Sequence, residues 1–137
     1  MSYAGDVSPQ DAYAAVTGDS GALLIDVRTR AEWAYVGVPD LSASGTGVHL
    51  VEWTTFPDGA PNAHFVEEVR AAGAQPGSPI YLLCRSGVRS QAAAEALTAA
   101  GLGPAYNVLE GFEGPHDASH HRAVSGWKNA GLPWVQG

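Results

Sequence analysis

The chain has 137 residues, of which 45% are hydrophobic and 15% are charged, and its formal net charge is −7. This length suits one domain with a packed core, and no apolar run approaches the roughly 20 residues that a membrane span requires. The seven lysines and arginines form no run, which argues against a nucleic-acid-binding protein. We therefore expect neither nucleic acid nor a membrane among its partners.

The cysteine content and the first residues predict the compartment. The one cysteine, Cys84, has no second cysteine to bond within the chain, and a reactive thiolate persists best in a reducing compartment. The start, Met-Ser-Tyr-Ala-Gly-Asp, has neither the basic nor the apolar region of a secretion signal. We therefore expect a cytoplasmic protein.

The chain begins with a helix and a strand. Ser8 followed by Pro9 is typical of an N-cap and a first helical residue, and predicts a helix that runs to about Thr17. The nearly continuous apolar run over 22–27 predicts a strand that is covered on both faces. Asp26 is the one charged residue in that run.

Three weaker elements follow. Thr29 and Glu32 have the spacing of a capping box, which opens a short helix that ends at Gly37. Residues 48–53 alternate weakly between apolar and polar, and are interpreted as a strand. Asn62 is a predicted cap for a helix that places Phe65, Val66, Val69 and Ala72 on one face.

The second half contains the most informative stretch. The apolar residues 80–83 predict a strand that leads directly into Cys84, and the alanine-rich run 91–100 predicts a helix after a short loop. Residues 105–109 are the next predicted strand, and residues 126–134 are interpreted as a short closing helix.

The alternation of strands and helices predicts an α/β fold: one domain over 1–137, with a central, mainly parallel β-sheet flanked by helices on both faces. In such sheets, ligands bind beyond the carboxyl ends of the strands. Two predicted strands end there with chemically distinctive residues, one at Asp26 and the other at Cys84.

Cys84 has the sequence surroundings of a nucleophile. It precedes a predicted helix, whose first N–H groups and dipole stabilise an anion and favour the thiolate. Gly87 allows the loop to curl tightly, and Arg85 and Arg89 supply positive charge for an anionic donor. The alternative is an inert buried cysteine that ends a core strand, for which a glycine-containing loop with two arginines is unnecessary.

These motifs resemble a known family. The stretch 24–28 (Leu-Ile-Asp-Val-Arg) with Glu32-Trp33, and the stretch 81–90 (Tyr-Leu-Leu-Cys-Arg-Ser-Gly-Val-Arg-Ser), are similar to those of the single-domain rhodanese type of sulfurtransferase. Residues 107–112 and the Gly126-Trp127 pair resemble the closing motif of that family. The resemblance covers about residues 8–134, and the Cys84 loop is its most specific part.

The resemblance implies a ping-pong reaction. Cys84 attacks the outer sulfur of thiosulfate or of another sulfane donor and forms a persulfide, and a thiophilic acceptor such as cyanide or a thiol then removes that sulfur. The expected partners are a small-molecule donor and acceptor, or a protein that bears a persulfide, and no metal or other cofactor is expected. The predicted persulfide-binding loop is Arg85, Ser86, Gly87, Val88 and Arg89, whose N–H groups form a nest for the terminal sulfur.

Asp26 and Ser90 are predicted to support that loop. A carboxylate at the end of a buried strand needs a partner, and we expect Asp26 to pair with Arg89 or to accept loop N–H groups. The alternative is that it caps the helix that begins after Thr29. Arg28 is either a partner at the same edge or an ordinary solvated residue.

Two other functions are less well supported. Four residues separate Cys84 from Arg89, whereas phosphatases of similar fold have one residue more, and a contracted ring of N–H groups suits a single sulfur better than a phosphate. Leu83 also stands where those phosphatases have histidine. A non-catalytic binding or redox-sensing module is the other alternative, although such members typically lack the cysteine that this chain retains.

The histidines of the irregular stretch 113–125 suggest a metal site, because His116 and His120 have a spacing that suits one helical face. Asp117 and His121 add further potential ligands. However, Gly114 and Pro115 favour a loop at this point, and we interpret the stretch as a solvated insertion.

Overall fold

The fold is that of a computed structural model, which describes residues 3–19, 21–41, 48–54, 60–84, 88–109, 111–112, 127 and 130–135. The side chains of Tyr35 and Val88 are not among the described parts. The predicted loop residues Arg85, Ser86 and Gly87 and the histidine-rich stretch 113–125 also lie outside them, so those predictions stay predictions.

Five strands form one sheet in which every neighbouring pair is parallel, with the order β1-β6-β5-β2-β4. Two further strands, β3 and β7, form a separate antiparallel pair. The strands are β1 (Gly5–Val7), β2 (Leu23–Asp26), β3 (Val38–Pro39), β4 (Val48–Leu50), β5 (Pro76–Leu83), β6 (Gly103–Val108) and β7 (Trp134–Val135). The predicted mainly parallel sheet is confirmed.

In the described part of the chain, four helices connect the strands: α1 (Pro9–Gly18), α2 (Arg30–Val36), α3 (Phe65–Ala71) and α4 (Val88–Ala99). Two predicted caps are confirmed, because Ser8 Oγ accepts from Asp11 N–H, and Thr29 and Glu32 form the complete capping box. The cap predicted at Asn62 is wrong. Its side chain accepts from the N–H of His64 at 3.0 Å, but the helix begins only at Phe65, with His64 at the cap position.

Helices cover both faces of the sheet, as predicted. One buried cluster joins the sheet to α3 and α4, and includes Ile25, Phe65, Val69, Leu82, Ala93 and Leu97. The other joins the opposite face to α1 and to the end of the chain, and includes Ala12, Val16, Leu24, Val108, Phe112 and Trp127. No helix in the described part of the chain is long and apolar enough to cross a membrane.

The closing helix predicted over 126–134 is not observed among the described residues of that range. Trp134 instead begins β7, which pairs with β3. The two strands pass very close to Gly37, where a Cβ atom would lie 2.6 Å from the carbonyl oxygen of Val135. Gly37 also has φ of 108°, a value that glycine tolerates best. The structure at Trp134 therefore depends on the pairing of β7 with β3 and not on the local sequence.

The register of the two central strands brings the predicted site residues to one edge. Asp26 of β2 stands beside Leu83 of β5, and Val27 N–H donates to the carbonyl oxygen of Leu83 at 2.8 Å. Cys84 follows Leu83 directly, so the carboxyl ends of β2 and β5 place Asp26 and Cys84 at the same edge, as parallel strands require.

Candidate active site

Cys84 lies between the end of β5 and the beginning of α4 at Val88. Its backbone oxygen accepts a hydrogen bond from Phe112 N–H at 2.8 Å, which ties the chain after β6 to the end of β5. The residue is only 1% exposed. The cysteine is therefore at the predicted position in the fold, but it is more deeply buried than the sequence indicates for an accessible nucleophile.

Ser90, in the first turn of α4, contacts the sulfur directly. Its hydroxyl oxygen lies 3.2 Å from Cys84 Sγ and 2.6 Å from Asn107 Oδ1, and the serine is completely buried. The sequence predicts Ser90 as support for the loop, and the structure places it against the sulfur as a hydrogen-bonding neighbour.

Asn107 continues this contact toward the first strand. Asn107 of β6 stands beside Asp6 of β1 in the parallel register, and its Nδ2 donates to Asp6 Oδ1 at 3.1 Å. The same carboxylate oxygen accepts from the Tyr3 hydroxyl at 2.7 Å. A hydrogen-bonded row therefore runs from Cys84 through Ser90 and Asn107 to residues near the N-terminus.

Asp26 and Arg28 form an ion pair that is sealed from solvent, with both side chains 0% exposed. Arg28 Nε lies 2.9 Å from Asp26 Oδ1, and Nη2 lies 2.7 Å from Oδ2, so the guanidinium binds the carboxylate through two nitrogens. The backbone N–H of Arg28 also donates to Asp26 Oδ1 at 3.1 Å. Such planar, two-point pairing is the strongest geometry available to this residue combination.

The Arg28 guanidinium also contacts two other parts of the chain. Nη2 donates to the carbonyl oxygen of Gly37 at 2.6 Å, and the guanidinium carbon lies 4.3 Å from the centre of the Phe112 ring. Nη1 has no hydrogen-bond partner in the described part of the chain, and the ring face provides a favourable electrostatic contact for the cation. Arg28 therefore links β2, the start of β3 and the segment after β6.

Arg89 and Glu32 form a second ion pair nearer the solvent. Arg89 Nη1 and Nη2 lie 2.7 and 2.8 Å from Glu32 Oε1 and Oε2, and the two side chains are 26% and 20% exposed. Burial acts to raise the pKa of Glu32, but the hydrogen bonds from Arg89 and from Thr29 N–H, together with the nearby guanidinium charges, outweigh it and lower the pKa to about 2. Hydrogen bonding to Glu32 raises the pKa of Arg89.

These pairs correct one expectation about the site. The pair predicted between Asp26 and Arg89 does not form, because Asp26 is occupied by Arg28 and Arg89 by Glu32. Asp26 also does not cap α2, since Thr29 and Glu32 do so. Arg28 is a fully buried partner at the strand edge and not a solvated residue.

Comparison with known proteins identifies the family. A family model described as the STR4 middle domain matches residues 4–137. Over 130 residues, the chain is 29% identical to the Arabidopsis thaliana rhodanese-like domain-containing protein 4, chloroplastic, with coverage of 94% of this chain and 25% of that protein. The chain belongs to this rhodanese-like family.

Three further proteins are similar to this chain in sequence or in structure. The crystal structure of Rv0390 from M. tuberculosis has a TM-score of 0.90 and 51% identity, and covers 99% of this chain and 100% of its own. An uncharacterised protein of Rickettsia conorii is 35% identical over 90% of both chains. The polysulfide-sulfur transferase homodimer of Wolinella succinogenes shares the fold, with a TM-score of 0.63 and 22% identity. The match covers 96% of this chain and 77% of that one.

In this rhodanese-like domain, the sequence prediction missed Glu32 as the partner of Arg89 and Asn107 as the partner of Ser90. Apart from the family resemblance, Glu32 is visible in the sequence as a capping residue, and a capping box also fixes the direction of the glutamate side chain. Asn107 is the only amide in an otherwise apolar strand, and a polar residue at a buried strand position requires a hydrogen-bond partner. That requirement is the signal that indicates Asn107.

A cavity of about 500 Å³ lies beside α2. Among the described residues, its lining is Trp33, Leu50, Glu52, Asn62, His64 and Glu68. Trp33 adjoins Glu32 in the sequence, but Cys84, Ser90 and Arg89 do not line the cavity. Two carboxylates in its wall make it unfavourable for an anion such as thiosulfate, so we do not assign the sulfur donor to it.

Proposed function

We propose that the protein is a sulfurtransferase that carries a sulfane sulfur as a persulfide on Cys84. The Cys84 thiolate attacks the outer sulfur of thiosulfate, the sulfur–sulfur bond of the donor breaks, and sulfite leaves with the electron pair. Cyanide or a thiolate then attacks the outer sulfur of the persulfide, and the Cys84 thiolate is the leaving group. Splitting the transfer into two displacements is the advantage of a covalent intermediate.

The observation that carries this proposal is the position of the sulfur. Cys84 stands at the carboxyl end of the central strand β5, and three residues separate it from Val88, where α4 begins. A helix N-terminus stabilises an anion at such a place. Arg89 lies close enough for Cys84 to contribute to its electrostatic environment, so a cationic side chain stands near the sulfur at this edge.

The ion pairs of Arg28 and Arg89 indicate how much negative charge a sulfur donor should carry. Arg28 and Arg89 are both neutralised by carboxylates, so within the described residues neither offers an uncompensated charge to a dianion. A donor group with less negative charge than a dianion, such as the persulfide of a thiol or of a protein, suits this electrostatic setting. We propose such a persulfide as the physiological donor, with thiosulfate as a serviceable laboratory substrate.

A second candidate, a binding module without turnover, is favoured by one observation. Cys84 is only 1% exposed, whereas a catalytic nucleophile must meet its substrate. Under this alternative the protein either binds a partner while Cys84 serves only the packing, or senses redox state through Cys84 without turning over a substrate. We place either activity in the cytoplasm, where the thiol stays reduced.

Steady-state kinetics with several donors separate these functions. Thiosulfate, a polysulfide and glutathione persulfide are each varied against cyanide, and thiocyanate is measured. The proposal predicts turnover with at least one donor, parallel double-reciprocal lines and complete loss in Cys84→Ser. An absence of turnover with every donor, while a thiol reagent still titrates Cys84, would reject the enzyme and support the binding module.

Hydrolysis of p-nitrophenyl phosphate serves as a control for the phosphatase alternative. Four residues separate Cys84 from Arg89, and this short spacing predicts no hydrolysis above the level of Cys84→Ser. A rate that depends on Cys84 would instead assign phosphoryl chemistry to this edge of the sheet.

A further inference from the structure

The hydroxyl proton of Ser90 has two competing acceptors. Ser90 Oγ lies 3.2 Å from Cys84 Sγ and 2.6 Å from Asn107 Oδ1. Ser90 is completely buried and Asn107 is 2% exposed. A hydroxyl group carries one proton, so Ser90 donates fully to only one of these atoms at a time.

Asp6 determines which end of the Asn107 amide faces Ser90. Asn107 Nδ2 donates to Asp6 Oδ1 at 3.1 Å, and that oxygen also accepts from the Tyr3 hydroxyl at 2.7 Å. The hydrogen bond to Asp6 raises the pKa of Tyr3, as expected for a charged acceptor. Reversing the amide would place its oxygen against the carboxylate, so Asn107 Oδ1 faces Ser90.

An amide oxygen only accepts hydrogen bonds. With Asn107 Oδ1 facing it, Ser90 donates to Asn107 and presents a lone pair to Cys84. A lone pair accepts a hydrogen bond from a thiol, but it gives nothing to a thiolate. We propose that Asn107 is a positioning residue that holds the Ser90 proton away from Cys84 and thereby favours the thiol over the thiolate.

This inference concerns regulation of the proposed sulfur-transfer site, and rests on the proposed function for its biological meaning. For Ser90 to stabilise the reactive thiolate, it must turn its proton from Asn107 to the sulfur. Asn107 is then left without that donor in a buried position, which is unfavourable. As long as Ser90 donates to Asn107, it does not stabilise the thiolate of Cys84.

Other charged groups lie at or near this edge of the sheet, and the test must hold them constant. Among the described residues they come from four elements: Arg89 of α4, Glu32 of α2, Asp26 and Arg28 at the end of β2, and Asp6 of β1. Substitution of Asn107 or Ser90 leaves all of these charges in place.

The first experiment measures how the rate of Cys84 alkylation by iodoacetamide depends on pH, because only the thiolate reacts. In Asn107→Leu, the Ser90 proton is free to serve the sulfur. A hydrogen bond to a charged acceptor is strong enough to move the half-maximal rate about one pH unit lower than in wild type. No sulfur donor is needed, so failure of sulfur transfer does not affect this measurement.

The double variant Ser90→Ala with Asn107→Leu identifies the cause. Without the hydroxyl, the proposal predicts that Asn107→Leu no longer shifts the half-maximal pH relative to Ser90→Ala alone. A shift that persists without Ser90, an upward shift, or no shift in Asn107→Leu itself would overturn the proposal.

Asp6→Ala is a second route to the same effect, and because Asp6 is exposed we expect the variant to fold. Without the carboxylate, the Asn107 amide is free to reverse, and the half-maximal pH is expected to fall by less than in Asn107→Leu. The measurement is made at high ionic strength, which screens the direct effect of removing the Asp6 charge. In the Ser90→Ala background, Asp6→Ala must then leave the half-maximal pH unchanged. Tyr3→Phe is the matched control, with no expected shift, and a shift there equal to that of Asp6→Ala would contradict the proposal.

Discussion

Two arginine–carboxylate pairs stand at the same edge of the sheet, and they differ chiefly in burial. Asp26 and Arg28 are 0% exposed, while Glu32 and Arg89 are 20% and 26% exposed. Both pairs use two nitrogens of the guanidinium. The same chemical contact therefore occurs once within the core and once at the rim of the candidate site.

The difference in burial assigns different roles to the two pairs. In the inner pair, Asp26–Arg28, each charge depends on the other, because a buried charge without a partner is strongly destabilising. The outer pair, Glu32–Arg89, is partly solvated, so either charge survives the loss of its partner at a smaller cost. The inner pair fixes the strand edge, whereas the outer pair sets the charge that a substrate meets.

Breaking the inner pair is expected to have the largest effect. Arg28→Met leaves the Asp26 carboxylate buried without its cation, and should lower the free energy of unfolding by roughly 3–5 kcal/mol in urea titrations. The double variant Asp26→Leu with Arg28→Met removes both charges and should recover most of that loss. A single variant within about 1 kcal/mol of wild type would refute the structural role of the inner pair.

The outer pair predicts how stability depends on pH. The pKa of Glu32 is about 2 in the folded chain, below its ordinary value of 4.5, so the native state binds fewer protons than the unfolded state in this range. The resulting stability is present above pH 4.5 and is lost as the pH falls toward 2. We expect about 2 kcal/mol to disappear over this window, after allowance for partial exposure.

Urea unfolding at several pH values between 2 and 6 measures this loss, with Glu32→Gln as the comparison. The variant cannot titrate at this position, so its stability should change less over the window than that of wild type. Equal slopes for the two proteins would show that Glu32 does not carry the predicted linkage.

The outer pair also predicts a change in donor affinity. Glu32→Gln leaves Arg89 with an uncompensated positive charge, and the KM for thiosulfate should fall about three- to tenfold, as an exchange of roughly 1 kcal/mol implies. Glu67→Gln, at a side chain that is 70% exposed on α3, is the matched control and should leave the KM unchanged. An unchanged or higher KM in Glu32→Gln would separate Arg89 from donor binding.

The smallest effect concerns the two confirmed helix caps. Thr29→Ala and Ser8→Ala should each lower the free energy of unfolding by about 1 kcal/mol. Thr29 Oγ1 lies 3.2 Å from Glu32 Oε1, so only Thr29→Ala loosens the outer pair, and only it should change the rate of sulfur transfer, by about twofold. Equal rates in the two variants would show that the cap and the outer pair act independently.

The local patterns of the sequence predict much of this framework. Thr29 and Glu32 identify the beginning of α2, Ser8 identifies that of α1, and the run into Cys84 identifies β5 and the helix after it. These features depend on neighbours within a few residues. The resemblance to the rhodanese family then gives the fold that orders them.

The charge pairing could not be predicted in the same way. Glu32 and Arg89 are 57 residues apart, and their contact depends on the order of strands in the sheet, which no local pattern specifies. The contact between Asp26 and Arg28 was within reach, because residues two apart in an extended chain point to the same side. From the sequence we instead assign Asp26 to Arg89 or to the N–H groups of the loop, and leave Arg28 open between a partner at the same edge and a solvated residue.

The most direct test of the account is the intact mass of the protein before and after incubation with thiosulfate or glutathione persulfide, with Cys84→Ser measured in parallel. The account predicts that the wild-type chain gains the mass of one sulfur atom, that cyanide removes it, and that the variant gains nothing. An unchanged wild-type mass with both donors, or an equal gain in Cys84→Ser, would contradict the Cys84 persulfide.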